Sequence, residues 1–227
     1  MKVIGILCAV ERELAPYLDI IQCHKASSGA MLTFHEGMID GTRVVAVYSG
    51  VCRVNAAIAT QLLIDRYNAC AVIVSGTAGG IDKRLEIGDS VIVTEACYHD
   101  IADGILTSHH PYMSDTCFMS DKALLAKCRE NISAANGAKI YYGRTVTGEA
   151  FIDTEGRERI ISEFAPLCVD METAAVAHAC YVNKLPFIAV RSISDTADEN
   201  GEATFDKYCA YAAAQSCNVV RQLLPHI

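Results

Sequence analysis

Three short segments of this chain, Lys2 to Cys8, Ala71 to Ser75 and Pro186 to Val190, are apolar almost without interruption, and each runs on into acidic or glycine-bearing sequence. Unbroken apolar runs of this length read as strands covered on both faces, since a one-sided strand would alternate. Strands of that kind need helices above and below them. The feature therefore restricts the chain to an α/β architecture, a twisted mixed β-sheet flanked by helices. With 227 residues and 52% hydrophobic content it can bury a sizeable core as one domain spanning 1–227.

The intervening sequence fits that frame. Glu11-Arg12-Glu13 opens a helix that Pro16 interrupts or restarts. Met31 to Glu36 and Thr42 to Tyr48 read as paired strands around the Asp40-Gly41 turn. Asn55 to Tyr67 reads as an amphipathic helix, and Ser90 to Cys97 and Lys139 to Thr147 read as strands. Asp121 to Ala135 reads as a helix capped by Ser120 or Asp121 and stopped by Asn136-Gly137. A charged helix ends at Phe164, an Ala-rich helix from Thr173 to Asn183 is apolar nearly all round, and Phe205 to Leu224 is the last helix. Ile101 to Ser120 shows no period and is expected to be a loop; one that long usually has a task.

Charge and cysteine usage exclude several classes of function. A net charge of −8 without a Lys/Arg cluster argues against nucleic-acid binding and weakens a heavily phosphorylated substrate. MKVIGILCAVERE meets acids too early to be a secretory signal or a membrane span. The eleven cysteines are odd in number, scattered, and lie mostly in apolar segments. They are expected to be reduced core residues of a cytoplasmic protein, and no CxxC pair is present to seat zinc.

Strands ending near Ala9, Ser75, Val169 and Ser192 can empty into one cleft, where α/β sheets bind ligands. Taken singly, the acids there have ordinary structural readings. Glu13 and Glu172 are first-turn helix acids, Asp170 is an N-cap and Asp195 is a turn residue. Their convergence is what suggests chemistry. Gly76 to Gly80 can hold a phosphate or let the backbone approach a flat ligand, but GxGxxG and GxxxxGK[ST] are both missing. No dinucleotide or other cofactor is expected, and no metal, because His109 and His110 are adjacent in sequence. His178 reads as a core or interface histidine. GxSxG is absent, which leaves a carboxylate pair, Glu13 and Asp195, for hydrolysis at an anomeric carbon.

GTAGG at 76–80, TGEAFI at 147–152, VDMETAAVAH at 169–178, RSISDTAD at 191–198 and FDKY at 205–208 resemble the 5′-methylthioadenosine/S-adenosylhomocysteine nucleosidases of the nucleoside phosphorylase superfamily. AVERE at 9–13 and SGVCRVNAA at 49–57 are in register, so the resemblance covers nearly the whole chain. It implies a phosphate-independent N-glycosidase of methionine salvage, a homodimer that binds a small adenine nucleoside. By that resemblance Asp195 protonates adenine N7, Glu13 is the base on water, and Glu172 holds the ribose hydroxyls. Met171 packs on the ribose, Phe151 stacks on adenine, the Ile152 backbone reads the base edge and Ser194 supports Asp195. Val51, Thr77, Ala78, Gly79, Asp170 and Phe205 complete the implied nucleoside site. Thr77 replaces a usual Ser, Val10 a usual Met and Asp170 a usual Glu, and 101–118 matches poorly. A phosphorylase, a futalosine-type hydrolase and a non-catalytic nucleoside-binding paralogue are the alternatives.

Overall fold

The structure is a computed structural model that describes residues 2–134, 137–152, 156–196 and 201–227. Asp198, Ala135 and Asn136, which figure in the sequence reading, lie outside the described residues. In chain order the elements are β1 (Val3–Cys8), α1 (Glu11–Leu18), β2 (Gln22–Gly29), β3 (Leu32–Ile39), β4 (Thr42–Tyr48) and α2 (Arg53–Tyr67). Then come β5 (Ala69–Gly80), β6 (Ser90–Tyr98), α3 (Ile105–Ser108), β7 (Cys117–Met119), α4 (Lys122–Asn131) and β8 (Ile140–Thr147). After these come α5 (Arg157–Phe164), β9 (Cys168–Asp170), α6 (Thr173–Val182), β10 (Phe187–Asp195) and α7 (Gly201–Leu223), which runs into a short 3-10 helix, Leu224–His226.

One mixed sheet holds all these strands. From β5 it runs open through β1, β4, β3 and β2. On the other side β10 pairs with both β5 and β6, so β5, β10, β6, β8 and β9 close on themselves. The unbroken apolar runs have a direct cause in this layering. Along β5, Val72 and Val74 join the core beneath α2 and α6, whereas Ala71 and Ile73 join the core beneath α1, α4 and α7. Phe187 and Ala189 separate in the same way from Ile188 and Val190 on β10. Both faces are apolar because both are roofed by helices.

Several expectations change. β10 runs past the apolar segment that ends at Val190 and past Ser192, where its end was expected: all nine residues to Asp195 are buried strand, because Arg191, Ser192 and Ser194 find polar partners inside. β2 had no signal, since its residues are mostly exposed and nothing imposes alternation. α1 continues through Pro16; the proline loses one helical hydrogen bond at an exposed turn, and Asp19 N–H still reaches Ala15 O at 3.3 Å. α4 is capped by Asp121, whose Oδ1 accepts from Ala123 and Leu124 N–H, and it ends at Asn131 where Ile132 turns extended. The segment 101–120 is not a plain loop: it carries α3 and β7, pinned by buried Met113, whose N–H donates to Leu106 O at 3.0 Å.

The cysteine reading is corrected at one pair. Cys97 and Cys117 stand opposite each other in the antiparallel β6–β7 pair, their Cα atoms 4.4 Å apart, and form a disulfide. Strand pairing brings these two sulfurs within bonding reach, which a scattered sequence distribution does not reveal. Of the nine free cysteines, six are buried as core residues. Among the described residues, no helix is long and apolar enough to cross a membrane.

Candidate active site

Glu13 occupies the third position of α1, one turn after β1 ends. Its carboxylate folds back so that Oε2 accepts from the N–H groups of Ala9 at 2.7 Å and Val10 at 3.2 Å. Oε1 accepts from Thr77 N–H at 2.7 Å and Thr77 Oγ1 at 2.8 Å. The glycine cluster thereby acquires a meaning. A Cβ on Gly76 would lie 2.5 Å from Glu13 Oε1, so the glycine permits a carboxylate to reach the strand. The Thr77 N–H, which a phosphate would otherwise engage, is already taken.

A second polar cluster surrounds Arg191, which is fully buried on β10. Its Nε donates to Thr173 Oγ1 at 2.9 Å and lies 3.3 Å from Asp170 Oδ2. Its Nη1 donates to Thr77 O at 3.2 Å and its Nη2 to Glu172 Oε2 at 3.3 Å. Asp170 also accepts from Thr145, Thr147 and Thr173 hydroxyls and from the Glu172 and Thr173 N–H groups at the start of α6. Glu172 has fewer donors: Cys52 N–H at 3.0 Å and Arg191.

This difference in hydrogen bonding separates the two acids. Burial pushes the Glu172 carboxyl up to about 7, with Arg191 only partly opposing it. Burial acts on Asp170 in the same direction, but Arg191 and the Thr147 and Thr173 hydrogen bonds outweigh it and hold its carboxyl below the ordinary value. Asp170 is thus a saturated structural anion, while Glu172 retains capacity to accept from a ligand.

These groups line a cavity of about 240 Å3, below the roughly 300–1,000 Å3 of drug-sized pockets and suited to a small metabolite. Glu13, Val51, Thr77, Ala78, Gly79 and Phe151 line it. So do Ile152, Asp170, Met171, Glu172, Ser194, Asp195 and Phe205. Ala9 and Val10 of the AVERE motif and Asp206 of the FDKY motif join them, and Glu202 does so from a position that the sequence did not single out. Asp195 closes β10, with Ser194 Oγ donating to its Oδ2 at 2.9 Å. Phe151 and Phe205 meet edge to face with centroids 6.3 Å apart, forming an aromatic wall opposite a polar floor. Such a cavity takes a flat ring on one side and a polyol on the other.

Arg191 and the Cys52 N–H are the notable omissions from the sequence reading. One signal was available for Arg191: a lone arginine in an otherwise apolar strand must be buried with acids. Among the described residues, Glu95, Cys97 and Cys117 alone bring enough donors together for an ion. Two of those donors are joined as the disulfide, and Glu95 faces Arg144 at 3.1 Å.

The fold and this cavity define a class, and comparison with known proteins agrees: the phosphorylase superfamily profile matches residues 3–225. A 5′-methylthioadenosine/S-adenosylhomocysteine nucleosidase of Colwellia psychrerythraea is 36% identical, over 97% of this chain and 94% of that protein. The nucleosidase of Neisseria meningitidis, solved with methylthio-immucillin-A, superposes with a TM-score of 0.92 at 32% identity, covering 100% of both chains. The futalosine hydrolase of Helicobacter pylori superposes with a TM-score of 0.90 at 26% identity, over 100% of this chain and 98% of that one. Within the superfamily, the chain belongs to the 5′-methylthioadenosine/S-adenosylhomocysteine nucleosidase family.

Proposed function

We propose that the protein hydrolyses the adenine–ribose bond of 5′-methylthioadenosine, S-adenosylhomocysteine or a related 5′-substituted nucleoside. The observation that carries this reading is the placement of Glu13 and Asp195 on one strand, β5, from opposite sides. Glu13 is bound at Thr77, and Asp195 pairs in register with Gly79. Their anchor points are two residues apart, about 7 Å of strand, enough for a sugar and a water between them.

In this mechanism Asp195, protonated, gives its proton to adenine N7. The C1′–N9 bond breaks with its electron pair passing to the base. Glu13 takes a proton from water as the water oxygen bonds to C1′, and both acids return to their starting states by exchange with solvent. Cationic character develops on the ribosyl group as the bond breaks. Glu13, Asp170 and Glu172 outnumber the single Arg191 guanidinium, and that buried excess of negative charge favours the cation. Glu172 accepts from the ribose hydroxyls, Met171 packs below the sugar, and Phe151 with Phe205 encloses the base.

Among the described residues, the two arginines that could hold a phosphate nucleophile are already paired with acids. Arg12 is paired with Asp206 at 2.8 Å, and Arg53 with Glu149 at 2.6 Å and Asp100 at 2.9 Å. Ser75, which precedes the glycines, bonds to Tyr17 and Ser216. Initial rates on methylthioadenosine, adenosylhomocysteine, 5′-deoxyadenosine and futalosine test the substrate assignment. A thioether nucleoside should turn over fastest; preference for futalosine would reassign the 5′ group.

The reading extends to a cytoplasmic homodimer in methionine salvage. Exposed Val54 and Ile58 on α2 and Tyr181 and Val182 on α6 supply an apolar face for a second copy. His178 fits there too, half-buried on α6 and stacked on Phe118 at 4.8 Å.

A further inference from the structure

We propose that Arg12 is a positioning residue that holds the aromatic wall closed over the cavity. The proposal rests on the nucleoside-site reading above and adds a residue to it. Arg12 does not line the cavity; it precedes Glu13 on α1 and points across to α7. Its Nη2 donates to Asp206 Oδ1 at 2.8 Å and its Nη1 to the Asp206 backbone oxygen at 3.3 Å. The same guanidinium lies over the Phe205 ring, 5.2 Å from its centroid. Phe205 in turn meets Phe151, and both Phe205 and Asp206 face the cavity.

Two successive residues of one helical turn therefore do different work. Glu13 reaches down to β5 and forms part of the polar floor. Arg12 reaches sideways and clasps the first turns of α7, where Phe205 forms part of the wall. A planar fork suits this task because one group satisfies a carboxylate, a carbonyl and an aromatic face together. Arg12 and Asp206 are half-exposed or more, so the clasp is modest and sensitive to salt. Loosening it lowers the fraction of molecules with the wall in place, and apparent affinity falls by that fraction. Substrate that is enclosed still meets the same carboxylates, so the chemical step is preserved.

The test measures adenine release by wild type, Arg12→Ala, Arg12→Lys and Arg12→Ala/Asp206→Ala, together with thermal stability. For Arg12→Ala, KM should rise about fivefold with kcat within about twofold, from an exposed ion pair and a cation–π contact combined. Arg12→Lys should fall between, and the double variant, like Arg12→Ala, should lose the salt dependence of KM. Raising salt from about 0.05 to 0.5 M should increase the wild-type KM and leave that of Arg12→Ala flat. An unchanged KM in Arg12→Ala, or a fall in kcat that follows lost thermal stability, would overturn the role given to Arg12. Wild type that releases no adenine would instead remove the nucleosidase reading itself.

Discussion

Asp170 and Glu172 lie two positions apart, are both buried and both touch Arg191, yet their acidities diverge because of the donors around them. The consequences fall in separate pH windows. Glu172 is raised from an ordinary 4.5 to about 7, so its contribution to stability is present below 4.5 and is lost as pH rises through about 7. Asp170 is lowered, so its contribution is present above its ordinary 3.8 and is lost as pH falls through the lower folded value. Thermal denaturation from pH 5 to 8 should therefore show a falling Tm in wild type that is flattened in Glu172→Gln. With Glu172 holding the ribose hydroxyls as proposed, KM should rise about tenfold per pH unit below about 7 as the ionised fraction shrinks. Arg191→Met strips both acids of their cation and should destabilise the fold by about 3–5 kcal/mol in denaturant titration, the scale for breaking a buried ion pair. None of this was legible from the acids alone. Each had an adequate structural reading, yet the N-cap of α6 is Glu172 rather than Asp170, and Asp170 instead accepts from the Glu172 and Thr173 N–H groups ahead of the helix while also anchoring Arg191.

At the scale of elements, apolar runs located the central strands but not their ends. Val72 and Val74 against Ala71 and Ile73 show why the runs were readable: both faces are roofed, so every residue must be apolar. Beyond Ser75 and Val190 the strands continue in polar residues and glycine, whose partners come from elements distant in sequence. Ser192 bonds to Ser90 at 2.7 Å, and Thr77 to Glu13. Local patterning cannot report such pairings. The candidate site residues were nonetheless named from the sequence through resemblance of ordered motifs, and the structure gathers them around one cavity. Gly76 offers a test at this scale. Gly76→Ala places a methyl 2.5 Å from Glu13 Oε1, so it should displace the Glu13 carboxylate, the proposed base, and lower kcat by about 100-fold, the scale of a 1 Å misplacement, while circular dichroism remains that of wild type.

For the molecule as a whole, closure of β5, β10, β6, β8 and β9 on themselves sets the ends of β5, β9 and β10 around one site, and β1 delivers Glu13 from the N-terminal side. The polar residues of the opening helix, the glycines, the short β9 and the end of β10 are thus parts of one machine drawn from across the chain. The apolar face of α2 and α6 supports assembly of two copies: sedimentation should give twice the 24.5 kDa chain mass, and Ile58→Asp should return it to the mass of one chain. In the proposed reaction, water activated by Glu13 attacks the anomeric carbon while Asp195 protonates the departing base. Its most direct test is turnover of methylthioadenosine in phosphate-free H2(18)O, with mass analysis of the sugar product. The expected result is free adenine, one labelled oxygen on the methylthioribose, and loss of both products in Asp195→Asn with nucleoside binding retained. Dependence on added phosphate with formation of a ribose 1-phosphate, or near-normal turnover in Asp195→Asn, would contradict it.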